Sequence, residues 1–144
     1  MNNMHASKNP GLDPQEALIC TMVLVAAANG GITDREIGVM TAVVQTLPAF
    51  REFSTTRLNN ATEKTIALLR EPDGLAHAGE LVRSALAPRL RETAYALACE
   101  VAAADHKIDA DSIRMLELVR DELRIDLLVA SAIERGARAR YQQV

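Results

Sequence analysis

Three carboxylates stand within seven residues at Asp105, Asp109 and Asp111, and oxygen-rich clusters of this kind suit hard cations such as Ca²⁺, Mg²⁺ or Mn²⁺. The spacing is not that of an EF-hand loop, which needs acids at alternate positions around a central glycine. Two of these acids also have a plain structural use. Asp109 is the expected N-cap of a helix, and Asp111 suits the positive end of its dipole. Earlier in the chain, Thr33 and Glu36 have the spacing of a capping box, with Asn29 just upstream. Two readings therefore stand side by side, capping alone and capping combined with a divalent metal. Zinc does not fit, because His77 and His106 have no second His or Cys at ligand spacing.

These residues fall in two stretches that read as one sentence written twice. Residues 25–37, VAAANGGITDREI, return at 101–113 as VAAADHKIDADSI, with six of thirteen positions identical. The identities are Val25/Val101, three alanines, Ile32/Ile108 and Ile37/Ile113, and they read as packing positions. The register, an offset of 76 residues, holds to Leu47/Leu123. A duplicated helical hairpin, at about 14–47 and 89–123, explains the pattern; two copies are too few for a solenoid.

The elements around the turns follow from periodicity and caps. Asp13-Pro14 opens a first helix that is apolar on every side over 17–28, hence central, and Asn29-Gly30-Gly31 stops it. Ile37, Met40, Val44 and Leu47 form one apolar stripe before Pro48. Phe50 and Phe53 mark one or two helical turns, and Asn60 with Glu63 starts a helix that turns Ile66 and Leu69 inward. After a turn at 71–74, Leu75, Ala78, Val82 and Ala85 make another stripe. Pro88 begins the helix of Tyr95, Leu97, Cys99 and Val101; Ile113, Leu116, Val119 and Leu123 repeat the earlier stripe. Asp126 caps a last helix with Leu127, Ala130, Ile133, Ala137 and Tyr141 on one side. No strand pattern occurs. The expectation is an all-α single domain over 13–144, seven to eight helices in a compact bundle, after a flexible tail over 1–12.

Composition narrows the function classes. At 144 residues with net charge −3, the chain has no basic field for nucleic acid, and the helices after each turn carry acids that would repel phosphates. The longest nearly apolar run, 17–28, is too short to insert through a bilayer at the ~20 residues needed. Cys20 and Cys99 lie in apolar runs without a CxxC motif and read as reduced core thiols, which agrees with the cytoplasm. No triad pattern, phosphate-binding glycine loop or His-Glu zinc motif suggests an enzyme. Met22, Met40 and Met115 read as core filler. Glu100 interrupts an apolar run, so it faces the rim or takes a partner such as Arg91 or Arg120, or joins Asp105 in an acidic cluster. Arg135, Arg138 and Arg140 give the last helix a basic strip that is either a solvated face or a dock for a partner.

A buried helix ending in small residues, an acidic-Gly turn, an Ile and an acid four positions on, all occurring twice, resembles the tellurite-resistance TerB-like family and its AAADGxIxxxE pattern. A similar domain precedes the J-domain of membrane-anchored DnaJ-like co-chaperones. The resemblance implies a small all-α, non-enzymatic protein of tellurite and chemical-stress response. It further implies divalent metal binding through acids, and protein partners that include membrane-associated ones. The first copy has Asn29 in the turn-acid position and keeps Gly30 and Glu36. The second keeps the acid as Asp105, has His106 for the glycine and Ser112 for the helix-start acid, with Asp109 and Asp111 close by. On this pattern the site residues are Asp105, Asp109, Glu36, Asn29 and Asp111, and one shared site would combine Asp105 with Glu36 where the copies face each other. The other reading is a metal-independent protein–protein module.

Overall fold

A computed structural model describes residues 11–104 and 109–144. The described residues are all-helical: α1 (Pro14–Ala26), α2 (Asp34–Thr46), a 3₁₀ turn (Pro48–Phe50), α3 (Thr55–Leu69), α4 (Gly74–Ala85), α5 (Pro88–Ala104), α6 (Ala110–Leu123) and α7 (Leu127–Arg140). Among the described residues, seven α-helices and no strand agree with the expected class. The proposed tail falls mainly on residues outside the described ones, as does Asp105.

Local chemistry sets the helix starts. Asp13 caps α1 with Glu16 returning the bond to its backbone, and Thr33 with Glu36 does the same for α2. Asp109 and Asp126 cap α6 and α7 through their carboxylates. Gly30 closes the first turn at φ 106°, a left-handed conformation that side chains resist. At the head of α4 a side chain on Gly74 would lie 2.2 Å from the Leu68 carbonyl oxygen, so only glycine lets the α3–α4 turn fold this tightly.

The sequence pattern misplaces α3. Its cap is Ser54, and the helix starts at Thr55, not at Asn60. Asn60 and Glu63 face solvent, where an asparagine costs a helix only a few tenths of a kcal/mol. The buried stripe is Leu58, Ala61, Thr65 and Leu68, with Ile66 and Leu69 half-buried beside it.

At the centre α1 is buried along ten consecutive residues, Ala17 to Ala26, as its all-round apolarity requires. It packs most extensively on α5, its counterpart in the repeat, and is enclosed by α3, α4 and α6. The hairpins also cross-pack, α2 lying on α5 and α6 on α1. That exchange carries the turn after α1 to the start of α6. α7 is peripheral, packing chiefly on α5.

Four assignments to the core change. Ile37 and Ile113, identical across the repeat, are 47% and 48% exposed, and Leu75 and Leu127 are also exposed. Each sits in the first turn or so of its helix, beyond the reach of the neighbouring helices that cover the rest of the stripe.

Candidate functional site at the paired turns

The two turns meet. Asn29, following α1, donates from Nδ2 to Asp109 Oδ2 at 2.9 Å across the repeat. Asp109 Oδ1 accepts the Ser112 backbone N–H at 2.8 Å. The bonds from Asn29 and from Ser112 hold the Asp109 carboxyl below its ordinary range, so it is ionised at neutral pH. Each carboxylate oxygen keeps a lone pair, and the Asn29 Oδ1 remains an acceptor.

Glu36 is buried, at 3% exposure, and its Oε1 accepts the Thr33 backbone N–H at 2.8 Å. Asp111 is exposed in the first turn of α6, where its charge complements the helix dipole. The structure thus brings together Asn29 and Asp109 of the five candidate residues. Glu36 and Asp111 serve their own helix starts, and Asp105 lies outside the described residues. Among the described residues no group of three or more His, Cys, Asp or Glu is placed to hold a metal. The Asp109 carboxylate fits a hard cation only as part of a larger set, since such ions take six or more oxygens.

Glu100 is partnered, and by neither expected arginine. Arg140 Nε lies 2.6 Å from its Oε1 and the Tyr141 hydroxyl donates to its Oε2 at 3.0 Å. Arg91 instead donates to the Leu86 and Arg83 carbonyls at the end of α4, and Arg120 pairs with Asp121. Nine residues upstream on α5, Arg91 is too far along the axis to reach Glu100. A second contact from α7, Glu134 accepting the Tyr95 hydroxyl, fastens the same two helices. Burial and that carboxylate together push the Tyr95 phenol up. No signal local to Glu134, Arg140 or Tyr141 marks them as partners of α5; pairing across about 40 residues is visible only in three dimensions.

Cys20 and Cys99 are free and buried. Burial pushes their thiols up to about 11 and about 12, so neither is a thiolate near neutral pH. Among the described residues no helix is long and apolar enough to cross a membrane.

A helical bundle built on a duplicated hairpin, the turn after its first helix bonded to the start of α6 through Asn29–Asp109, defines a class of small helical modules. A family model described as tellurite resistance protein TerB matches residues 15–132, and the chain belongs to that family. No curated protein and no solved structure matches the chain significantly.

Proposed function

We propose that this TerB-family chain is a binding module of tellurite and chemical-stress response, not an enzyme, that takes up a divalent cation at the paired turns and presents itself to protein partners, membrane-associated ones included. The Asn29–Asp109 bond carries this reading, because it holds an ionised carboxylate of one repeat against the side-chain amide of the other. Asp105 and Asp111 supply the further oxygens, and Glu36 fixes the start of α2 behind them. A cation there would tie the turns of both hairpins together, so occupancy would stiffen one end of the bundle. The protonated, buried thiols argue against direct thiol chemistry on an oxyanion. Two reduced cysteines also suit the cytoplasm, where we place the protein.

Thermal unfolding with Ca²⁺, Mg²⁺ or Mn²⁺ tests the reading. Asp105→Asn/Asp109→Asn removes two charges and keeps a good N-cap, since Asn caps as well as Asp. A specific cation at 100 times its Kd stabilises the wild type by about 2.7 kcal/mol and leaves the variant unmoved. If no ion raises the wild-type midpoint, the module works without metal.

A further inference from the structure

The most exposed large hydrophobic side chains within the helices lie together at the head of α7: Leu127 and Leu128 are 67% and 82% exposed. Leu128 lies opposite the buried Ala130 and Ala137 and so points away from α5. Arg135, seven residues on, lies on the same outward line, with only Ser131, Ala132 and Ala139 between and beyond. Neither Arg135 nor Arg138 has an ion-pair partner among the described residues. The outward face of α7 therefore carries Leu128, a smooth stretch of small residues and a free guanidinium, with the exposed Leu127 beside Leu128 at the head of the helix.

A complementary surface lies elsewhere. Between α4 and α6, over Thr21 and Leu24 of α1, runs an open cleft of about 420 Å³. Leu75 and Leu118 stand half-exposed on its two walls, with Met115 between them. Its charges are acidic at the rim. Asp73 lines one end, and Asp111 continues the Met115–Leu118 line of α6 past it. Glu122, at the other end, is already paired with Arg83. The free acids Asp73 and Asp111 therefore sit at one end of an apolar trough.

The spacings agree. Leu128 and Arg135 are seven residues apart on α7, and Leu118 and Asp111 are seven apart on α6. Both separations are about 10 Å along a helix. An α7 laid antiparallel to α6 that seats Leu128 beside Leu118 brings Arg135 to Asp111. Within one molecule this cannot happen, because α7 lies on α5 with its leucines turned outward.

We propose that the α4–α6 cleft receives the outward face of α7 from a second copy of this chain, Leu127 and Leu128 entering between Leu75 and Leu118 and Arg135 pairing with Asp111 and Asp73. The contact joins unlike surfaces, so it closes reciprocally into a dimer or continues as a chain. One helix face in one cleft covers less than a standard interface, so the association is weak and concentration-dependent. It requires no cation, and a cation held by Asp111 would compete with Arg135 for that carboxylate.

Analytical ultracentrifugation in EDTA, from about 10 µM to about 1 mM, spans the affinities expected of so small a contact. The wild type should rise from monomer mass toward dimer or beyond. Leu128→Asp and Leu118→Asp should each remain monomeric, with melting midpoints near wild type because both side chains are exposed. Mixed together, they should form a one-to-one complex, since the first keeps its cleft and the second its α7 face. Arg135→Glu should weaken association at least tenfold and Asp111→Lys should restore it. Ile37→Asp, at an exposed apolar position on neither surface, should associate as wild type does. A wild type that stays monomeric at the highest concentration overturns the proposal. So does Leu128→Asp associating like wild type, a mixture that fails to pair, or Ile37→Asp abolishing association equally.

Discussion

The first hairpin and the second run on the same backbone plan and fill it differently. Leu24 and Glu100 occupy equivalent positions, as do Ile19 and Tyr95, Leu18 and Ala94, and Glu36 and Ser112. In the first copy, α1 is walled in by α3, α4, α5 and α6, so every side of it is apolar. In the second, α5 is covered on its outer side chiefly by α7, and polar groups fasten that cover: Tyr95 to Glu134, Glu100 to Arg140 and Tyr141. The copies diverged according to how completely each first helix is enclosed. Tyr95 is itself buried and its hydroxyl is satisfied by Glu134, while Glu100 keeps partial hydration; a carboxylate within α1 would bear the full cost of burial.

The capping chemistry differs in the same spirit. Thr33 and Glu36 share a reciprocal pair of bonds at the head of α2. Asp109 caps α6 alone, with Ser112 where Glu36 would stand, and its second oxygen is thereby left for Asn29. Loss of the reciprocal glutamate in one copy coincides with the bond that joins both.

Exchanging core residues between the copies would break the comparison most severely. Leu18→Ala, giving α1 the residue of α5, should destabilise by about 2–5 kcal/mol in urea unfolding. The reverse change, Ala94→Leu, overpacks a fully buried site and should cost about 1–3 kcal/mol. Equal and small losses for both would mean that the two first helices are not distinguished by enclosure.

Next in size is the clasp. Tyr95→Phe removes one hydrogen bond to Glu134 and should cost about 1 kcal/mol. Its signature lies in thiol labelling under native conditions. Cys99 lines the cleft beneath α6 and α7 and should label several-fold faster in the variant. Cys20, within the enclosed α1, should label only on global unfolding in either protein.

A smaller effect separates the turns by pH. Asp109 has a folded pKa below its unfolded one, so its stabilising contribution is complete above about pH 4 and fades as pH falls through the folded value. Asn29→Ala removes the largest cause of that shift. The gap in melting midpoint between wild type and variant should be constant near neutrality and narrow below about pH 4. A gap that widens on acidification would contradict the assignment. The smallest effect belongs to the exposed Arg57–Asp13 pair at the edge of the first copy, where Arg57→Ala should change stability by less than about 1 kcal/mol despite the guanidinium resting on Phe53.

Much of this molecule follows from its sequence alone. The caps Asp13, Thr33, Asp109 and Asp126, the all-round burial of α1 and the register of the repeat depend on neighbours one to four residues away, and periodicity reports those directly. The TerB-like turn pattern is equally local, and the family match confirms it. The start of α3 was misread because Asn60 resembles a cap whether or not a better one, Ser54, precedes it. Ile37 and Ile113 carry the periodicity of core residues, and only the placement of neighbouring helices leaves them half-exposed. The same holds for the Asn29–Asp109 bond, the partners of Glu100 and the cleft between α4 and α6. Each joins residues 40 or more positions apart or depends on which helices pack side by side, and cross-packing of the hairpins is a property of the assembled bundle. The letters of the two copies leave their relative placement open; the contact of Asn29 with the start of α6 is decided by α6 lying on α1.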